Sequence, residues 1–449
     1  MRGPRWPRRP RDAACLVTPA ALTGMAASIP GDVPTAGPPV QVSVLMPSLN
    51  QVAFIERAVR SVLAQPGAAL ELVVMDGGST DGTPALLARL GDEFGPALSW
   101  TSVLDRGPGH ALNKALALAR GSVIGWLNAD DVYTPGAVQR AFAHLDAHPD
   151  HWMVYGQGEH VDAQDKVLGA YPSRPPQAGL QGFAQGCFIC QPTVFLRRAA
   201  LRGASGFDEG LRTAFDLALW LRLFSRHPDR IGWIDALQAQ SRLHDACITL
   251  TQRGQVIRES MALLARYLGS APLHWLQTHA GELLAAHPFG QIDGDPRAYV
   301  EAFAASVAAL LSPDDQALMR QWLASDARIR LALPDACLQV EADGWLLAQS
   351  VLRVRAGAWR GVRLVGRHVA PLPGPLVLQW LHPDGSRVAH TVHSHGPFDL
   401  RIALPASTAP TAWTLPIVAS RGFVPSQHNP ASDDHRRLAC LIDGVQLLT

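Results

Sequence analysis

The chain has 449 residues, 47% hydrophobic and 17% charged, the composition of a globular protein long enough for two or three domains. Its formal net charge of +1 excludes the strong basic bias of a nucleic-acid binder, so nucleic acid is not an expected partner. Six scattered cysteines argue against a disulfide scaffold and for a reducing compartment, and no run of about 18 apolar residues marks a membrane-spanning helix.

Residues 1–40 hold five Arg by position 11 and eight Pro, followed by a mildly apolar stretch from Ala13 to Ser28. This loosely imitates a signal peptide, but Thr18 and Pro19 interrupt the apolar part, and a disordered leader is expected.

From Val42 the chain alternates strands with helices. Val42 to Met46 reads as a strand stopped by Pro47, and Phe54, Ile55, Ala58, Val59, Val62 and Leu63 recur at helical spacing. Leu70 to Met75 is a second strand, followed by the loop Asp76 to Thr83 and a helix opened by Pro84. Trp100 to Leu104 is a third strand; Gly107-Pro108-Gly109 then turns into a helix that places Ala111, Leu112, Ala115, Leu116 and Ala119 inward. Ser122 to Leu127 is a fourth, ending in Asn128-Ala129-Asp130-Asp131, and Pro135 is expected at the first position of the next helix.

Short apolar strands separated by helices predict an α/β domain whose mostly parallel sheet is covered on both faces. Ligands of such sheets lie beyond the carboxyl ends of the strands. Four polar clusters fall there: Ser48-Leu49-Asn50, Asp76 to Asp81, Asp105-Arg106 and Asp130-Asp131. The last pair is the most informative. Two adjacent carboxylates after a buried strand are costly to bury unpaired, so they suit either a solvated turn or a bound cation.

Downstream, Gln191 to Leu196 reads as a strand and Asp216 to Phe224 as a helix, and a polar-apolar segment ends in Arg242-Leu243-His244. Cys187 and Cys190 form a CxxC without a second pair at zinc spacing, and are read as coincidental thiols. Residues 255 to 330 look helical. Beyond Leu331, Pro, Gly and short apolar runs such as Leu376 to Leu381, with turns such as Pro383-Asp384-Gly385, predict a β-sandwich. The expected divisions are a leader (1–40), an α/β domain (41–252), a helical extension (253–330) and a β-sandwich (331–449).

The series VSVLMPSLN (Val42–Asn50), LELVVMDGGSTDGT (Leu70–Thr83), DRGPGHALNKALALARG (Asp105–Gly121) and GWLNADDVYTPGAV (Gly125–Val138) resembles the family 2 glycosyltransferases. CFICQPTVFLRR (Cys187–Arg198), FDEGLRTAFDLALWLRL (Phe207–Leu223) and SRLH (Ser241–His244) continue the resemblance in the same order, which covers about Gln41 to Leu250. The family implies a GT-A fold and an inverting transfer of sugar from a nucleoside diphosphate to a saccharide or lipid-linked acceptor. It also implies a bacterial setting in cell-envelope polysaccharide synthesis, in the cytoplasm and compatible with peripheral association at the inner membrane face. The tail, with GPFDLRIALP (Gly396–Pro405) and ASRGFVPS (Ala419–Ser426), resembles a sandwich module appended to bacterial glycosyltransferases.

By this resemblance Pro47, Ser48, Asn50, Asp76, Gly77, Asp105, Arg106, Lys114, Asn128 and Asp130 face the donor. Asp131 and His244 are implied to hold a divalent cation, Mg²⁺ or Mn²⁺, of the kind that takes few carboxylates and completes its shell with phosphate oxygens and water. Inversion needs a base but no protein nucleophile, and Asp216 matches the base position. Gln191 and Trp220 are assigned to the acceptor side. Two departures stand out. Gly77 replaces a second acid that many relatives carry, and Ala218 stands where relatives often place another acid, which keeps open a non-catalytic nucleotide-sugar or glycan-binding protein. Asp81 is read as a cap of the turn before Pro84. A Rossmann dehydrogenase fails for want of G-x-G-x-x-G after the first strand.

Overall fold

Strand β1 (Val42–Ser48) is buried along its whole length, and its alternating side chains serve two helical layers. Val42, Val44 and Met46 join one apolar cluster with Ile55, Ala58, Val59 and Val62 of α1 (Ile55–Leu63) and with Leu87 and Leu90 of α2 (Thr83–Phe94). On the opposite face α3 (Pro108–Leu118) packs against β1 and β2 (Leu70–Asp76), burying Ala111, Leu112 and Ala115. Each fully buried Leu or Val of this set contributes about 1.5–3 kcal/mol.

The computed structural model describes residues 40–286, 294–355, 357–369, 371, 374–382, 385–393, 395–404 and 413–449. The expected leader, bar residue 40, and Pro383-Asp384 of the expected turn lie outside the described residues.

With β3 (Leu98–Ser102) and β4 (Val123–Trp126), the first two strands form a parallel core in the order β3-β2-β1-β4. Beyond β4 most of the pairings are antiparallel. The order runs from β4 to β8 (Phe195–Arg197), β6 (Met153–Val161), β9 (Ile231–Arg242) and β5 (Val132–Tyr133), with β7 (Val167–Ala170) on β6. The sheet is therefore mixed, with helices α1 to α3 around its parallel half and α4 (Ala137–Ala147) packed on β6.

Several boundaries differ from the sequence expectation: the third strand is Leu98–Ser102 rather than Trp100 to Leu104, and two differences lie at prolines. Pro47 does not stop β1, which pairs with β2 as far as Ser48 and Asp76. The last bond on the β4 side is Leu127 N–H to Leu45 O, so Pro47 points to a side where pairing has ended and its missing N–H costs no ladder bond. Pro135 lies before the helix rather than in it. Val132-Tyr133 forms β5, and Gly136, in the left-handed region at φ 78°, is the N-cap of α4.

The chain divides into two compact units. The first comprises Met1–Ser173, Ile189–Gly206 and Gly232–Leu250; the second comprises Arg174–Phe188, Phe207–Ile231 and Thr251–Thr449. The first unit also carries α5 (Arg198–Gly203) and the second carries α6 (Phe215–Arg226). In the second unit, helices Arg253–Leu268, Leu273–Ala286, Pro296–Val307 and Pro313–Ser325 precede two antiparallel sheets.

The five-stranded sheet runs β10 (Ala336–Leu338), β12 (Gln349–Val354), β17 (Trp413–Ala419), β14 (Leu376–Leu381), β15 (Arg387–Val392). The four-stranded sheet runs β11 (Trp345–Leu347), β18 (Leu438–Leu448), β13 (Gly361–His368), β16 (Gly396–Ala403). Leu352, Leu378, Trp380 and Ile417 of the first share one core with Leu346, Leu364, Phe398 and Ile442 of the second, which makes a β-sandwich.

Candidate active site

The acidic turn is shaped by the strand before it. Gly125 leaves room where a Cβ would lie 2.7 Å from the Tyr133 hydroxyl and 2.9 Å from the Phe195 ring, so β4 can lie close under both. Trp126 Nε1 donates to Asn128 Oδ1 at 3.0 Å, and Asp131 N–H donates to Asn128 O at 3.1 Å, closing the turn. Asn128 Nδ2 in turn donates to Gln191 Oε1 at 2.9 Å and, at 3.3 Å, to Asp131 Oδ2. Gln191 Nε2 donates to Trp126 O at 2.8 Å. Asn128 and Gln191 thus hold the turn against the short 3-10 segment Gln191–Thr193, where a strand start was expected.

Asp131 is only 3% exposed, and its carboxylate takes two donors: Arg242 N–H at 2.8 Å and the long contact from Asn128. Burial, then the neighbouring Asp130, push its carboxyl well above the usual carboxylate range. Asp130 Oδ2 lies 3.1 Å from His244 Nε2, the two side chains being 15% and 7% exposed. His244 is also set by Phe54, whose ring centroid is 4.5 Å away. Two adjacent carboxylates, Asp131 short of donors and Asp130 beside the His244 imidazole, are donor types that suit a Mg²⁺- or Mn²⁺-type cation.

Asp76 differs sharply in its surroundings. It closes β2 at 1% exposure, and four donors occupy its two oxygens: Gly78 N–H, Ser79 N–H and the hydroxyls of Ser79 and Ser102. Its carboxylate shapes the loop. Asn50, in the left-handed region at φ 54°, ties the β1 end to that loop: its N–H donates to Ser79 Oγ and its Oδ1 accepts from Thr80 N–H. Ser48 Oγ is buried without a partner beside these bonds. Asp81 accepts from Thr83 N–H and Oγ1 and from Val52 N–H, which is the cap read from the sequence.

Gly77 is where Asp105 comes close: a Cβ there would lie 2.9 Å from Asp105 Oδ2. Asp105 is half-buried and accepts Gly107 N–H at 2.8 Å; burial raises its carboxyl, with Gly107 and then Lys114 acting against the rise. Arg106 is exposed and Lys114 half-buried. Within this unit, the residues expected to face a donor all come from the carboxyl ends of β1 to β4 or the segments that follow them.

Asp216 and Trp220 belong to the second unit, on α6. Asp216 is not the N-cap, which is Ala214; its Oδ1 accepts Leu217 N–H at 2.7 Å, and burial pushes its carboxyl up to about 6. Trp220 is fully buried and its Nε1 has no hydrogen-bond partner.

Two residues with structural roles here were not singled out from the sequence. Arg242, fully buried, donates to Asp130 O and Asp162 O, pairs with Asp165, and lies over the Phe54 ring at 5.3 Å. Its place in SRLH, before the expected ligand His244, was the available signal. Glu259, on the helix Arg253–Leu268, accepts the N–H groups of Arg212, Thr213 and Ala214 and the Thr213 hydroxyl, and so caps α6 from another element. Burial works to raise its carboxyl, but the Ala214 and Arg212 amides and Gln255 more than offset this and leave it lowered. No local pattern in the sequence reveals a cap supplied from 45 residues away.

A parallel core with acids at its carboxyl ends and a largely antiparallel extension defines an α/β domain of the GT-A type. A family model described as "Glycosyl transferase family 2" matches residues 43–203, and the chain carries a domain of that family. An uncharacterised glycosyltransferase of Rickettsia prowazekii is 26% identical over 228 residues, 48% of this chain and 68% of that protein. The succinoglycan biosynthesis protein ExoU of Rhizobium meliloti is 34% identical over 185 residues, 40% of this chain; the match spans about half (51%) of ExoU. Among solved structures, S. aureus TarS 1–349 in complex with UDP aligns over 71% of this chain and 97% of that one, with TM-score 0.44 and 16% identity. The mannosyltransferase PcManGT of Pyrobaculum calidifontis, in complex with GDP-Man and Mn²⁺, aligns over 65% and 83%, with TM-score 0.40 and 20% identity. Among the described residues no helix is long and apolar enough to cross a membrane.

Proposed function

We propose that this chain transfers a sugar, with inversion, from a nucleoside diphosphate to a saccharide or lipid-linked acceptor, and that it depends on Mg²⁺ or Mn²⁺. The observation that carries the reading is the contrast between two buried acids. Asp76 is saturated by four donors, whereas Asp131 has two and follows Asp130, whose own carboxylate meets His244. Asp131 and His244 would hold the cation, which when bound neutralises charge on the departing nucleoside diphosphate. Pro47, Ser48, Asn50 and the loop held by Asp76 and Gly77 would cradle the nucleotide. Asn128, Asp130 and Asp105 would face the ribose and sugar, and Arg106 and Lys114 the diphosphate.

The acceptor oxygen attacks the anomeric carbon opposite the diphosphate, the C–O bond to phosphate breaks, and the diphosphate leaves with the electron pair. The acceptor proton passes to Asp216, whose carboxyl near 6 matches a base working at neutral pH. Gln191 and Trp220 are assigned to the acceptor side. A role in bacterial envelope polysaccharide synthesis, in the cytoplasm at the inner membrane face, is part of the proposal and is supported by the likeness to ExoU.

A panel of UDP, GDP and dTDP sugars with Mn²⁺, read by thermal shift and by product formation, tests it. Wild type should bind one donor and release free nucleoside diphosphate. Asp131→Ala should lose ion-dependent donor binding, and Asp216→Asn should keep binding but lose transfer. Donor binding without any turnover would instead support a non-catalytic nucleotide-sugar protein.

A further inference from the structure

At the opposite end of the sheet from the acidic turn, three imidazoles meet. His144 lies in the last turn of α4, His148 is its C-cap, and His151 precedes β6, a spacing of four and then three residues. The end of the sheet follows from pairing: Val123, the first residue of β4, pairs with Arg197, whose guanidinium donates to the carbonyls of His151, Leu145 and His148. We propose that His144, His148 and His151 form a binding site for a divalent transition-metal ion of the zinc class, separate from the acidic turn.

One ring nitrogen from each of the three lies within 4.8 Å of the others, and among the described residues this is the one such group of His, Cys, Asp or Glu. His144 Nε2 and His151 Nδ1 are hydrogen-bonded at 3.0 Å and the three rings stack with centroids 4.4 to 5.2 Å apart, so an ion would replace that hydrogen bond and turn the rings toward itself. His148 Nδ1 lies 2.8 Å from the His144 carbonyl. A carbonyl only accepts, so Nδ1 carries the proton and Nε2 keeps its lone pair to give; such a second bond orients a ligating imidazole.

Space for the rings is provided from β9. A Cβ at Gly232 would lie 2.2 Å from His144 Nε2 and 2.7 Å from His151 Nδ1, so only glycine leaves the two nitrogens facing each other. The ring chemistry also suits a metal. Burial first, then the neighbouring imidazoles, lowers the His144 pKa; burial, against an opposing Asp150, lowers that of His151. Neutral imidazoles are the ligand form. The Arg197 charge works against a cation, its Nε and Nη2 pointing to the three carbonyls, and exposed Asp150 partly offsets it. Three nitrogen ligands leave a fourth position for water. An ion there would join the end of α4 to the start of β6.

The test is calorimetric titration of the full chain, free of any histidine tag, with Zn²⁺ alone. One equivalent should bind wild type and Asp131→Asn alike. It should weaken by at least about 10–100-fold, the loss typical of removing even an outer-layer partner, in His148→Gln and His151→Gln. His148 is exposed, so His148→Gln should keep the metal-free melting temperature of wild type while losing the Zn²⁺-induced rise. Absence of Zn²⁺ binding to wild type, or a site that survives both His substitutions and vanishes in Asp131→Asn, would overturn the proposal.

Discussion

At the scale of single residues, burial alone does not say what a carboxylate is for. Asp76 and Asp131 are both almost sealed from solvent, yet the first is fully occupied by donors and the second is not. The raised pKa of Asp131 carries a stability sign. A carboxyl raised by folding favours the native state below its ordinary pKa, and that contribution is lost as pH rises through the folded value. Asp131→Asn should therefore melt at a higher temperature than wild type at pH 8 without metal, while losing the rise produced by Mn²⁺; differential scanning calorimetry reads both. Asp216 gives the second prediction. With a carboxyl near 6, single-turnover transfer should fall as pH drops through about 6, tenfold per pH unit well below it. A profile flat down to pH 5 would remove Asp216 from the role of base.

At the scale of elements, what the sequence made legible were runs and their periods. The apolar spacing of α1 and α3, and the strand before Asn128, are local patterns and the structure contains them. Pro47 and Pro135 were read by rules for an average proline, and both outcomes depended on a neighbour: which side of β1 still had a partner, and the β5–β9 pairing that took Val132-Tyr133 out of the turn. The cap of α6 lay wholly beyond local reading, since Glu259 comes from another helix. Glu259→Gln can keep only part of that set of bonds and should cost ~1–3 kcal/mol in urea unfolding. Because Asp216 lies one turn from the capped amides, the same variant should lower transfer more than it lowers donor binding.

At the scale of the whole molecule, the acids were placed at the sheet's carboxyl ends correctly from strand–helix alternation, because that rule depends on topology and not on contacts. The expected break near residue 252 is a different matter. Segments Arg174–Phe188 and Phe207–Ile231 cluster with Thr251–Thr449, so the chain leaves the first unit and re-enters it twice. A pattern read along the sequence has no signal for such returns. A fragment ending at residue 252 would keep α6 but lose both Glu259 and the helix Arg253–Leu268 that packs on α6. It should be markedly less soluble than the full chain and show reduced helix content by circular dichroism, whereas a fragment that keeps this helical region should retain more of both.

Arg242 has a further consequence, in the currency of charge. Beside the acidic turn stand three carboxylates, Asp130, Asp131 and Asp165, and two guanidiniums, Arg242 and Arg57, both paired with Asp165. With all ionised this acidic side is net negative by one, and with Asp131 protonated it is neutral, so it offers an approaching diphosphate no attraction of its own. A divalent ion would make it positive. Nucleoside diphosphate affinity should accordingly be poor in EDTA and improve on adding Mn²⁺, with the gain shrinking as ionic strength rises. The sealed arginine then acts as a fixed bias: it leaves the pocket one ion short of welcoming an anion.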